Sequence, residues 1–125
     1  MNAQSTINLL IVDDEIDIRD ILEMGFEDKN CFVMTASNGD EALKLLTQHN
    51  FHIVLSDVQM PICSGVEFIK KLHALMPPPL LFLMSGFSDV TDDDIKDLGV
   101  EKMFKKPFSL EELTTEVIET YQAKK

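Results

Sequence analysis

Short apolar runs alternate with helical patterns of about a dozen residues along the whole chain, and few folds accept that order. Apolar runs at Ile7–Val12, Cys31–Ala36, 52–56, 80–84 and 103–105 predict strands. The segments at about 15–28, 39–49, 64–76 and 90–98, and one starting at Ser109, predict helices. Strand and helix in strict alternation call for parallel pairing, because the chain must cross back over the sheet before each new strand. Ile53, Val54 and Leu55 are apolar in succession, which suits a strand covered on both faces. Ile18, Ile21, Leu22, Gly25 and Phe26 recur at helical spacing and predict the inner face of the first helix. Leu110, Leu113, Val117 and Tyr121 do the same for the last, with Ser109 and Glu112 as a capping box at its start. Pro77, Pro78 and Pro79 stop the third helix, and Gly99 ends the fourth.

Right-handed crossovers make the expected architecture an α/β, doubly wound (βα)5 fold. We expect a flavodoxin-like, five-stranded parallel sheet of order 2-1-3-4-5 with helices on both faces. A length of 125 residues, with no linker or repeat, predicts one domain with a core over about 7–122 and no further domain attached. Eleven Lys+Arg stand against 22 Asp+Glu, a formal charge of −11. That balance argues against nucleic acid and anionic membrane as partners, since both are bound by basic residues. No apolar run approaches the ~20 residues of a membrane span, and the first residues lack a signal-peptide profile. Cys31 and Cys63 have no metal-ligand spacing and read as reduced thiols. The expected location is cytoplasmic.

Ligands of open parallel sheets bind beyond the strand carboxyl ends. Asp13, Asp14, Asp57, Ser85 and Lys106 all lie there. Adjacent carboxylates at Asp13 and Asp14 repel each other and favour a cation between them; the alternative is that one of them only caps the first helix. Mg2+ takes oxygen ligands and keeps several waters, so a few carboxylates suffice to hold it. Asp57 is either a loop residue bonding its own backbone or a carboxylate able to attack phosphorus. Ser85 offers a hydroxyl to a phosphoryl oxygen, and Lys106 an ammonium. Lys105 is the rival of Lys106, and alternation lets only one face the crevice. Together these residues describe a site for Mg2+ and a phosphoryl group.

The residues that carry this chemistry resemble the receiver domain of two-component response regulators, the CheY-like family. The matches are Val12-Asp13-Asp14-Glu15, Asn38-Gly39-Asp40-Glu41-Ala42-Leu43, Ser56-Asp57-Val58-Gln59-Met60-Pro61, Gly65, Met84-Ser85-Gly86 and Lys106-Pro107-Phe108. The resemblance implies that Asp57 accepts phosphate from a phosphohistidine on a sensor histidine kinase or histidine phosphotransfer domain. It implies Mg2+ on Asp14, Asp57 and the backbone carbonyl of Gln59, with Asp13 acting through water. It implies that Ser85 and Lys106 grip the phosphoryl group, and that the Lys106–Pro107 bond is cis. Such a domain is a phosphoacceptor that promotes its own phosphorylation and dephosphorylation rather than an enzyme with a separate substrate. It either switches a downstream protein target or relays phosphate. In the family Ser85 couples to an aromatic residue on the last strand, where this chain has Met103.

By the same resemblance the target surface is the helix at 90–98 with the last strand and helix. Ile16 and Met24 fall off the apolar stripe of the first helix and are either scattered exposed apolar residues or a docking face for a partner helix. Asp89, Asp92, Asp93, Asp94 and Asp97 make either a solvated acidic face or a guide for a basic partner. Three alternatives compete. A haloacid dehalogenase-type phosphatase needs an Asp where Gln59 stands. A flavodoxin proper needs a phosphate-cradling loop where Asp13-Asp14-Glu15 would repel phosphate. A pseudo-receiver, acting as a phosphorylation-independent binding module, would lack one of the five site residues.

Overall fold

The computed structural model describes residues 6–58, 65–75, 77–86 and 99–124. Gln59, Cys63, the helix expected at 90–98 and the acidic residues Asp89 to Asp97 lie outside the described residues. In chain order the elements are β1 (Ile7–Val12), α1 (Ile16–Glu27), β2 (Cys31–Ala36), α2 (Gly39–Gln48), β3 (Ile53–Asp57), α3 (Gly65–His73), β4 (Leu80–Ser85), β5 (Val100–Lys105) and α4 (Leu110–Ala123). The strands form one parallel sheet of order β2-β1-β3-β4-β5, as expected.

Burial follows position in the sheet. Every residue of β3 is buried, so no polar alternation marks it. The edge strand β2 alternates, with Phe32 exposed between buried Cys31 and Val33. Side chains of successive strand residues feed two cores. One holds Leu10, Val12, Val54, Leu83 and Met103 against Ala42 and Leu46 of α2 and Phe68 and Leu72 of α3. The other holds Leu9, Ile11, Leu55, Met84 and Phe104 against Leu22 and Phe26 of α1 and Leu113 and Val117 of α4. Gly25 lets α1 approach α4 closely, since a Cβ there would sit 2.9 Å from Leu110 Cδ1.

Several boundaries move, each for a local reason. Ile21 is 45% exposed rather than on the inner face of α1. Leu22 and Phe26 set the centre of that face, and at 100° per residue Ile21 falls beyond its edge. Ile16 and Met24 are exposed, as their position off the stripe predicts. α3 ends at His73, short of the prolines, because Ala74 N–H and Leu75 N–H bond back only three residues, to Lys71 and Leu72. Such bonds tighten and close a last turn. β5 starts at Val100, three residues before the apolar run, because Glu101 and Lys102 lie on a half-exposed edge. β3 and β4 each run one residue further than their apolar runs, so Asp57 and Ser85 are the last residues of their strands. Asn38 caps α2 by accepting from Glu41 N–H at 2.9 Å, and Ser109 caps α4 by accepting from Glu112 N–H at 3.3 Å. Gly99 has φ +73, and the helix it was expected to end lies outside the described residues.

Candidate functional site

β1 and β3 are neighbours with Val12 beside Ser56, which brings the residues that follow them together. Carboxylate oxygens of Asp13, Asp14 and Asp57 lie within 4.8 Å of one another. On the other side of β3, Asp57 pairs with Met84, and Ser85 pairs with Lys105. Ser85 is buried at that strand end, and its carbonyl accepts from Lys106 N–H at 2.8 Å. The Lys106–Pro107 bond is cis.

The chain turns inward after β5, so Lys106 enters the crevice while Lys105 stays exposed. Lys106 Nζ donates to Asp13 Oδ2 at 2.9 Å and Asp57 Oδ2 at 3.3 Å, and lies 3.5 Å from Glu15 Oε1. The Asp13 side chain is fully buried, that of Asp57 is 9% exposed and that of Lys106 15%. Asp14 faces solvent. Burial pushes the Asp13 carboxyl above its ordinary value, although the Glu15 N–H and Lys106 pull the other way. Burial works against the Lys106 ammonium too, but the bond and charge of Asp13, together with Asp57, outweigh it and raise its pKa.

Asp13 serves both the start of the first helix and the lysine. Its Oδ1 accepts from Glu15 N–H at 2.9 Å, which holds the residue leading into α1, while its other oxygen holds Lys106. Two residues join the site that the sequence reading did not assign to it. Arg19 Nη1 donates to the Asp13 carbonyl at 2.7 Å and fixes the turn that carries the acidic pair. Glu15 adds a fourth carboxylate at the rim. Glu15 was visible as the third acid in a row; no spacing rule points to Arg19.

Met103 is buried on the α2 and α3 side of the sheet, paired with Leu83. Phe104 faces the opposite core, its ring 6.2 Å from that of Phe82. The last-strand aromatic is thus turned away from the position that Met103 holds.

The donors are all oxygens with clustered negative charge, which fits a hard divalent cation such as Mg2+ and not a soft metal.

The family model for the response regulator receiver domain matches residues 9–118. The chain is 38% identical over 107 residues to the response regulator SaeR of Staphylococcus epidermidis, covering 85% of this chain and 46% of that one. It superposes on a CheY-like receiver domain from Methanospirillum hungatei with a TM-score of 0.86, at 24% identity over 95% of this chain and 96% of that one. It is 28% identical to TrrA of Thermotoga maritima, solved in complex with Mg2+–BeF, with a TM-score of 0.79 over 91% of this chain and 98% of that one. The chain spans between a quarter and a half of the curated relatives first matched, 25% of one and 46% of the next. Among the described residues no helix is long and apolar enough to cross a membrane.

Proposed function

The chain belongs to the response regulator receiver domain family of two-component signalling, and on that premise we propose that Asp57 is its phosphoacceptor. The donor is a phosphohistidine on a sensor histidine kinase or histidine phosphotransfer domain. A carboxylate oxygen of Asp57 attacks phosphorus as the P–N bond breaks, and the bonding pair returns to the imidazole nitrogen. The reading is carried by one observation: Lys106 Nζ bridges Asp13 and Asp57 within a cluster of three carboxylates.

Little covalent work falls to the protein in phosphoryl transfer, so alignment and charge decide the rate. Lys106 already bonds Asp57 Oδ2 and moves from carboxylate to phosphoryl oxygen over a short distance. Ser85, on the adjoining strand end, supplies a hydroxyl to a second oxygen. Asp14 and Asp57 would hold Mg2+ directly, with the Gln59 carbonyl outside the described residues, and Asp13 through water. When bound, the ion draws charge from the transferring group. The TrrA complex with Mg2+–BeF supports that cofactor. Ser85, once engaged, pulls on β4, and Met103, beside Leu83, passes the shift on by changing rotamer. The downstream target then reads the surface of the segment at 90–98 with β5 and α4, or the face of α1.

The test is intact-protein mass spectrometry after incubation with acetyl phosphate, with and without Mg2+, on wild type and Asp57→Asn. One Mg2+-dependent phosphoryl adduct on wild type alone is expected. Equal labelling of Asp57→Asn overturns the acceptor assignment. No adduct on wild type, together with no binding of beryllium fluoride, overturns phosphorylation altogether.

A further inference from the structure

Glu15 stands at the mouth of the crevice, one residue past the acidic pair. Its side chain is 63% exposed, and its Oε1 lies 3.5 Å from Lys106 Nζ. The backbone around it is held on both sides: Glu15 N–H donates to Asp13 Oδ1 at 2.9 Å, and the Glu15 carbonyl accepts from Arg19 N–H at 3.1 Å. The backbone that carries the carboxylate is therefore held at the rim. Lys106 is shared between two interior acids, Asp13 and Asp57, and this outer one.

We propose that Glu15 is a donor-selecting residue: it occupies Lys106 from the solvent side and repels small anionic phosphoryl donors. The proposal rests on Asp57 being the phosphoacceptor. A donor oxygen that takes a hydrogen bond from Lys106 ends no farther than about 6 Å from the Glu15 carboxylate, adding an ordinary charged hydrogen bond to the observed separation. Across water at that distance, each negative charge on the donor slows its approach about threefold. A dianion thus loses about tenfold and a monoanion about threefold. A protein-borne phosphohistidine is brought in by its own docking surface, so its encounter is governed less by this one charge.

Acetyl phosphate and phosphoramidate separate the two cases, because the first arrives as a dianion and the second, with its protonated nitrogen, as a monoanion. With acetyl phosphate the Asp57 O–P bond forms as the P–O bond breaks, and the pair leaves with acetate. With phosphoramidate the P–N bond breaks and ammonia leaves, so no proton transfer is required of the protein.

Initial labelling rates of wild type and Glu15→Gln are compared with both donors at saturating Mg2+ and low ionic strength. Glu15→Gln is expected to gain about tenfold with acetyl phosphate and about threefold with phosphoramidate, the gap closing as salt screens the charge. Beryllium fluoride affinity, read by calorimetry, rises with the substitution as well. Equal gains with the two donors, no gain, or a gain insensitive to salt overturns the proposal while leaving Asp57 as acceptor. A wild type that neither donor labels overturns the functional reading, and this inference with it.

Discussion

Lys106→Met keeps the stem of the side chain and removes one ammonium from among the site carboxylates. At an effective dielectric of about 20, charges 2.9 and 3.3 Å apart attract by about 5 to 6 kcal/mol each before desolvation is counted. Removing one partner of a buried pair costs about 3–5 kcal/mol, because the other charge is left in place. A ceiling follows from protonation. The metal-free cluster can take up a proton instead, and at pH 7 that costs a carboxylate of ordinary pKa about 4 kcal/mol; at pH 5 the cost is about 1.5 kcal/mol. The variant should therefore lose about 3 kcal/mol at pH 7 and about 1 kcal/mol at pH 5. Since the pKa of Lys106 is raised, the stability it contributes is fully present below its ordinary 10.5 and is lost only as pH rises through the folded value. The assay is urea unfolding with a chelator present, followed by far-ultraviolet circular dichroism. A loss below about 1 kcal/mol at pH 7, or one that stays constant down to pH 5, would refute the account of this site as a cation-dependent charge cluster.

Three further perturbations test local structure. Asn38→Ala removes the cap that receives Glu41 N–H and should cost about 1 kcal/mol in urea unfolding. Gly99→Ala forces a Cβ into a φ of +73 and toward His73 Nε2, and a loss of about 1–2 kcal/mol is expected in the same assay. Burial pushes the Cys31 thiol up to about 11. With the folded pKa above the unfolded one, stability is complete below about 8.5 and falls, by up to about 3 kcal/mol, as pH rises toward the folded value. Cys31→Ala should remove that alkaline slope relative to wild type, as read from urea midpoints across the range.

Strand existence and order were legible because hydrophobic periodicity and crossover handedness leave few options. β1, β2 and their pairing needed nothing more, as each apolar run coincides with its strand. Boundaries failed where burial is partial. The start of β5 hides behind Glu101 and Lys102, whose side chains face the wet edge of the sheet. Ile21 has the right chemistry for an inner face and the wrong angle about the α1 axis.

For the site, sequence by itself determined which chemistry is available: acids after β1 and at the end of β3, a hydroxyl ending β4 and a lysine after β5, because side-chain type and strand end are both written locally. Only the tertiary structure decided how those groups share one ammonium. Lys106 bridges Asp13 and Asp57, Glu15 joins from the rim, and Arg19 reaches back to clamp the Asp13 carbonyl. Those contacts join residues up to 93 positions apart, so their distances are set by sheet register and helix packing rather than by any local pattern.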